Sequence, residues 1–365
     1  MTMGYRLFGR SGLRVSELAL GTMTFGTDWG WGAGRDECRK MFDTYAEAGG
    51  NFVDTANNYT NGTSERIVGE LVAADRDHFV LATKYSLSTR PDDPNAGGNH
   101  RKNLVRAVEA SLERLGTDYL DLLWLHMWDG MTPVEEVVRS LDDLVRAGKV
   151  LYVGVSDTPA WAVARAVTLA ELRGWTAFCG LQVPWSLADR GVERELLPLA
   201  AALGLAVTPW GVLESGELTG KYVTTAQPGG SAALDRAGGQ GQPTRSRPDE
   251  VSPRVNDLAS EVMAVAAELG RSPAQVAIGW VRQQDVGCPV IPIVGARSAG
   301  QLADNLGCLD VRLTPAQLDR LAAASAFQLG FPRSFLESDH VRGLIFGRTY
   351  DRMVTASSRP SADGR

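Results

Sequence analysis

Eight times along this chain a short apolar run is followed by a longer stretch of helical period or a long connection, and that rhythm constrains the fold more than any other feature. The runs begin at or near Leu18, Phe52, Val80, Leu122, Val150, Phe178, Leu205 and Val290. Strands that alternate with helices pair in parallel, and eight such units close into a barrel of roughly 250 residues plus insertions. The expected class is therefore α/β, a (β/α)8 barrel over 1–330, with a loop inserted at 222–252 and a C-terminal tail over 331–365. An open doubly wound sheet is the rival, but no G-x-G-x-x-G follows the first run.

The elements between these runs carry their own signals. Tyr5 to Phe8 and Leu13 to Val15, joined across Gly9-Arg10-Ser11-Gly12, read as a leading hairpin outside the main sheet. Ser64 to Leu71 reads as a helix capped by its own Ser or Thr hydroxyls. Further helices are expected at about 35–48, 101–115, 133–147, 160–172, 193–203, 255–269 and 301–306. Thr314-Pro315-Ala316-Gln317 opens another by N-cap and N1-proline logic, and the chain from Phe331 onward reads as irregular. Residues 222–252, crowded with Gly, Pro, Ser, Gln and Arg, read as a surface loop that acts as a lid, mobile until a cofactor binds.

Composition narrows the function classes. A hydrophobic content of 44% with 22% charged residues is that of a globular protein with a large core. The net charge of −6 argues against nucleic acid or an anionic membrane as partner, and no apolar run reaches the ~18 residues of a membrane span. The first fourteen residues lack the apolar core of a signal peptide, so a cytoplasmic location is expected. Cys38, Cys179, Cys288 and Cys308 are far apart and four scattered histidines supply no ligand cluster, so neither a disulfide framework nor a metal site is expected.

Chemistry concentrates at the strand ends. Phe52 and Val53 close a buried strand at Asp54, and Tyr59 follows in a loop rich in Asn and Thr. The next two strands end at Lys84 and His126. The carboxyl ends of barrel strands form the functional face, so four ionisable side chains from adjacent strands converge on one spot. A buried lysine beside a carboxylate keeps its charge, and an ammonium near a phenol favours the phenolate, lowering the tyrosine pKa from its usual value near ~10. That is the makeup of a general acid.

These residues also carry a resemblance. Asn51-Phe52-Val53-Asp54-Thr55-Ala56 with Tyr59, Ala82-Thr83-Lys84, Leu125-His126 with Asp129, Val153-Gly154-Val155-Ser156, Leu218-Thr219-Gly220-Lys221-Tyr222, and Gly295-Ala296-Arg297 with Gln301 and Asn305 resemble the aldo-keto reductase family from about Tyr5 to Ala324. The resemblance implies reduction of aldehydes or ketones by NADPH, with Tyr59 as proton donor, Lys84 and Asp54 tuning it, and His126 orienting the carbonyl. It also implies that Ser156, Asp157 and Gln182 hold the nicotinamide carboxamide while Trp210 stacks on its ring. Thr22, Met23, Gly211, Leu213, Gly220 and Lys221 would line the ribose and pyrophosphate, and Gly295, Arg297, Gln301 and Asn305 would hold the adenosine end, Arg297 taking the 2′-phosphate. The chain departs from the common pattern at Asp157, where the family often has Asn, and an ionised carboxylate there can accept from the carboxamide but not donate to it. Trp185 stands where tyrosine is common, and Gly211-Val212-Leu213-Glu214-Ser215 replaces a more usual Ser-Pro-Leu.

The substrate is addressed only by aromatics. Trp29, Trp31, Tyr85 and Trp128 lie just beyond strand ends and would suit a planar or apolar carbonyl compound. A different role stays open, because some members of the family are cofactor-sensing regulatory subunits that turn over slowly. A metal-assisted barrel hydrolase is disfavoured by the scattered histidines.

Overall fold

The structure is a computed structural model that describes residues 3–223 and 251–353 of the 365-residue chain. The inserted loop expected at 222–252 lies almost wholly outside the described residues. The chain divides into two compact units, 1–325 and the segment from Ala326 onward.

The first unit begins with an antiparallel hairpin, β1 (Tyr5–Leu7) and β2 (Arg14–Ser16), in which Tyr5 pairs with Ser16 and Leu7 with Arg14. Eight parallel strands follow: β3 (Ala19–Gly21), β4 (Phe52–Asp54), β5 (Val80–Tyr85), β6 (Leu120–Leu125), β7 (Val150–Ser156), β8 (Gly180–Pro184), β9 (Ala206–Trp210) and β10 (Ile293–Val294). They lie side by side in the order β10-β3-β4-β5-β6-β7-β8-β9, and a parallel bridge between Val207 and Val290 brings the two ends together. The barrel is thus nearly closed, as the sequence rhythm requires. The last strand begins at Ile293, three residues later than the expected Val290, which contributes only that bridge.

The interior is filled by every second residue of each strand, as the pleat dictates. Ala19, Phe52, Val80, Ala82, Leu122, Trp124, Ala206 and Ile291 form one buried cluster, joined by Phe8 and Val15 from the hairpin. The hairpin is therefore a plug for the amino-terminal end of the barrel. Phe8 meets Phe52 and Trp124 edge-on with ring centroids 5.6 Å and 6.1 Å apart. Room for the indole of Trp124 comes from two glycines: a Cβ at Gly154 would collide with it, and one at Gly180 would come within 2.5 Å of Phe8 and 3.0 Å of Trp124.

Alternate strand residues point outward to the helices α1 (Arg35–Glu47), α2 (Thr63–Val72), α3 (Arg101–Leu115), α4 (Val134–Arg146), α5 (Ala160–Arg173), α6 (Leu196–Leu203), α7 (Pro253–Leu269), α8 (Pro273–Arg282), α9 (Ala299–Leu306) and α10 (Pro315–Ala324). Three sequence expectations need correction. Helix α2 is preceded by Gly62 at φ 87°, with no side-chain cap at that residue; the Thr60 hydroxyl instead accepts from Ser64 N–H at 3.0 Å. Helix α8 is absent from the sequence reading, although Ser272 and Gln275 form the same capping box that Thr314 and Gln317 form at α10. The segment after Phe331 is not irregular: its unit carries α11 (Arg333–Leu336) and α12 (Asp339–Phe346), the latter capped by Ser338. Both are eight residues or fewer, too short to show a clear 3.6-residue period. Among the described residues, no helix is long and apolar enough to cross a membrane.

Candidate active site

The alternation that fills the barrel also builds the layer above it. Two residues beyond each interior side chain come Asp54 in β4, Lys84 in β5 and His126 after β6, then Ser156, Gln182 and Thr208 in β7 to β9, all buried. Tyr59 reaches the same layer on a 3-10 turn, Tyr59–Gly62. That turn needs left-handed backbone at Thr60 (φ 43°) and Asn61 (φ 55°), and the Thr60 hydroxyl fastens it by donating to Phe25 C=O at 2.7 Å.

Lys84 is the centre of the arrangement. Its ammonium donates to Asp54 Oδ1, to Thr55 C=O at 2.9 Å and to the Tyr59 hydroxyl oxygen at 3.1 Å, so that its three N–H groups are all used. Gln182 Nε2 donates to the other carboxylate oxygen of Asp54 at 3.0 Å. A buried ion pair offsets its desolvation only when its remaining donors and acceptors are satisfied, and here they are. An ammonium cannot accept, so the Tyr59 oxygen is the acceptor and its own proton is free to point away from Lys84.

Burial lowers the Lys84 pKa, but the Asp54 charge and the Tyr59 contact raise it further, and the net direction is upward, so the side chain stays charged. Burial pushes the Tyr59 hydroxyl above the usual tyrosine value, while the Lys84 charge pulls it back. The sequence reading anticipated the pull of the ammonium, but burial outweighs it and the net sign is the reverse of the expected one. Burial and the Lys84 charge drive His126 down to about 3, so its imidazole is neutral at physiological pH. Its ring lies edge-on to Tyr59 with centroids 6.1 Å apart.

The aromatic residues divide. Trp29 and Trp31, in the loop after β3, stand 5.6 Å apart, and Trp29 meets Tyr59 edge-on at 6.4 Å. Trp128, two residues past His126, packs edge-on against Trp161 at 6.4 Å. Tyr85 does not join them: one residue after the inward Lys84 it points outward, fully buried, with its hydroxyl donating to Asn99 C=O at 3.4 Å. Trp185 is also fully buried, with Nε1 donating to Glu193 at 2.9 Å, and so lies below the rim.

Around this centre lie the remaining candidates. Thr22 donates its hydroxyl to Asp54 C=O at 3.0 Å, and Met23 follows it at the end of β3. Trp210 is 37% exposed at the end of β9, and its Nε1 donates to Asp157 Oδ1 at 3.4 Å. Burial raises the Asp157 carboxyl pKa, an effect opposed by the Trp210 bond, and the backbone there is left-handed at φ 41°. Gly211 and Gly220 adopt φ 71° and 78°, Leu213 lies between them, and Lys221 Nζ donates to Ser215 C=O at 3.3 Å. In the turn from β10 to α9, Gln301 accepts from Arg297 N–H at 3.0 Å and Asn305 donates to Gly295 C=O at 3.2 Å. Both amides thus shape the loop that carries Arg297. Among the described residues, Ser156 Oγ, Thr208 Oγ1 and His126 Nδ1 are buried without a well-formed hydrogen bond, which fits a polar ligand in this layer. Two buried residues had no role in the sequence reading, Ser86 and Asn99, because their partners lie some thirty or forty positions away and leave no local trace.

Comparison with known proteins meets this geometry from another side. The family model described as Aldo/keto reductase family matches residues 17–326. A norsolorinic acid reductase of Emericella nidulans is 40% identical over 336 residues, covering 89% of this chain and 82% of the relative. A putative aryl-alcohol dehydrogenase of Saccharomyces cerevisiae is 35% identical over 341 residues (90% and 88%), and an NADP(+) aryl-alcohol dehydrogenase of Phanerodontia chrysosporium 37% over 344 (88% and 85%). The family's chemistry is oxidoreduction between a small carbonyl compound and its alcohol, generally with NADP(H). With the match running through every strand of the barrel, the chain belongs to the aldo/keto reductase family and is an oxidoreductase.

Proposed function

We propose that this enzyme transfers a hydride between NADPH and an aromatic aldehyde or ketone, reversibly, with Tyr59 as the general acid in the direction of reduction. One observation carries the reading: all three Lys84 donors are committed, one of them to the Tyr59 oxygen, which leaves the phenolic proton available beside a wall of tryptophans.

NADPH, when bound, supplies the hydride; the rest falls to the protein. Tyr59 gives its proton to the carbonyl oxygen as charge develops there, and the Lys84 ammonium stabilises the phenolate left behind. Asp54 keeps Lys84 charged and Gln182 keeps Asp54 in place. Neutral His126 cannot act as the acid; it orients the carbonyl as a hydrogen-bond partner. Ser156, Asp157 and Gln182 would hold the carboxamide of the cofactor, with Trp210 against its ring. Thr22, Met23, Gly211, Leu213, Gly220 and Lys221 would line its ribose and pyrophosphate, and Gly295, Arg297, Gln301 and Asn305 its adenosine end. A charged Asp157 can only accept from a carboxamide; burial raises its pKa, and the bond from Trp210 Nε1 opposes that shift.

The aromatic preference rests on Trp29 and Trp31 beside Tyr59 and on the relatives named aryl-alcohol dehydrogenases. It is tested with matched aromatic and aliphatic aldehydes, following NADPH absorbance. One edge contact is worth about 0.5–1.5 kcal/mol, so two or more should give a kcat/KM preference on the order of tenfold for the aromatic substrate. Equal values would remove the aromatic assignment, and no turnover with any carbonyl, accompanied by retained NADP, would replace catalysis with a binding role.

A further inference from the structure

We propose that Ser86 and Asn99 are positioning residues for the reduction, gripping the Met127 peptide so that His126 and Trp128 are fixed on either side of it; the inference rests on the catalytic reading above.

Both residues belong to the segment between β5 and α3, and both are buried, Asn99 completely. The Ser86 hydroxyl accepts from Met127 N–H at 3.0 Å and stands 3.1 Å from Met127 C=O. The Asn99 carboxamide spans Trp128: its Nδ2 donates to Met127 C=O at 2.8 Å and its Oδ1 accepts from Asp129 N–H at 2.8 Å. Asn99 N–H returns the bond to Asp129 Oδ2 at 2.7 Å, and the same carboxylate accepts from the Thr132 hydroxyl at 2.7 Å. Adding His126 N–H to Tyr85 C=O at 3.0 Å and Trp128 N–H to Asp157 C=O at 3.4 Å, four successive N–H groups are tied down as the chain leaves β6.

Two features point to placement of neighbours as the purpose. Met127 is 42% exposed and belongs to neither buried cluster, so the clamp holds a residue outside the packed core. The His126 ring has no partner at Nδ1 among the described residues, so its aim depends on the backbone that carries it. Ser86 also sits at φ 107°, an unusual conformation for a side-chain-bearing residue, fastened by Gly98 N–H donating to its carbonyl at 2.7 Å. Strain of that kind persists where the surroundings over-determine it.

The test uses Ser86→Ala, Ser86→Gly and Asn99→Ala in the full-length enzyme. A misplacement on the order of 1 Å in a catalytic group costs up to ~100-fold, so kcat for an aryl aldehyde should fall about 10- to 100-fold while the NADPH dissociation constant stays within about twofold. The second readout is the ring resonances of carbon-13-labelled histidine: those of His126 should shift or broaden in each variant while those of His78 and His340 do not. Ser86→Gly relaxes the backbone yet lacks the hydroxyl, so impairment equal to that of Ser86→Ala supports the clamp. Recovery in the glycine variant would assign the effect to backbone strain and overturn it. Wild-type kcat with unmoved His126 resonances overturns it as well. If the wild-type enzyme reduces no carbonyl, the catalytic reading fails separately, and the His126 resonances still decide whether the grip exists. Should Asn99→Ala fail to fold, the two Ser86 variants decide.

Discussion

Replacing Tyr59 with phenylalanine removes one oxygen and leaves the ring. The ring contacts with Trp29 and His126, and the Lys84 ammonium 4.7 Å from the ring centroid, survive the change. Two things are lost: the phenolic proton, and the acceptor for one Lys84 N–H. The first removes general-acid catalysis, which typically contributes ~10²–10⁴-fold, or about 2.7–5.5 kcal/mol of transition-state stabilisation. The upper half of that range is expected, because His126, held near 3, offers no substitute acid at neutral pH. The second leaves a donor of a buried ammonium unpaired, which costs at least about 1–3 kcal/mol of folding stability, the range for a neutral group. Single-turnover oxidation of NADPH, chemical denaturation and cofactor titration separate the three quantities. The rate should collapse, stability should drop modestly, and the dissociation constant should hold. A Tyr59→Phe enzyme with kcat within about threefold of wild type would refute the assignment of Tyr59 as the acid.

Lys84→Met should slow reduction and shift the alkaline fall of the rate to higher pH, since the ammonium is what pulls the Tyr59 pKa down against burial; an unmoved profile would show the two are uncoupled. Arg297→Ala should weaken NADPH by about 10- to 150-fold, the worth of a charge-assisted hydrogen bond of roughly 1.5–3 kcal/mol, and leave NADH nearly unaffected; equal losses, measured at one salt concentration, would sink its assignment to the 2′-phosphate. The folded pKa of His126, about 3, lies below the unfolded value near ~6.5, so the unfolded chain binds the extra proton between those limits and stability falls as pH drops through that window. His126→Gln should flatten that stretch of the stability curve, and an unchanged slope between wild type and variant would place the acid sensitivity elsewhere.

The barrel and three of the four central residues, Asp54, Lys84 and His126, were legible from short-range pattern: apolar runs announce strands, and the residue ending each run sits at the carboxyl-terminal face. Tyr59 reaches that layer only through the left-handed turn at Thr60 and Asn61. The same count by twos that puts Lys84 inside puts Tyr85 outside, and applying it would have removed Tyr85 from the substrate wall. Helix α8 was legible too, since Ser272-Pro273-Ala274-Gln275 repeats the signal at Thr314. The sign of the Tyr59 shift was not legible, because the competition between desolvation and a neighbouring charge is decided by how deeply the phenol is buried. Nor was the use of Gln301 and Asn305 on their own loop: four-residue spacing gives a shared helix face, but the target of each amide is set by where the chain from β10 passes. The grip of Ser86 and Asn99 on Met127 is wholly a tertiary fact.

The floor of the barrel has a consequence for how sequences of this kind can diverge. The indole of Trp124, the ring of Phe8 and the missing side chains at Gly154 and Gly180 fill one volume between them. A methyl group gained at either glycine has nowhere to go while the indole stays, and an indole lost first leaves a void that the plug cannot fill without moving. Substitution at any one of these positions therefore passes through a damaged intermediate, and lineages should keep the set together or exchange it together. Covariation among positions 8, 124, 154 and 180, in the layer below the reacting groups, would be the historical signature of a packing problem with two solutions and a barrier between them.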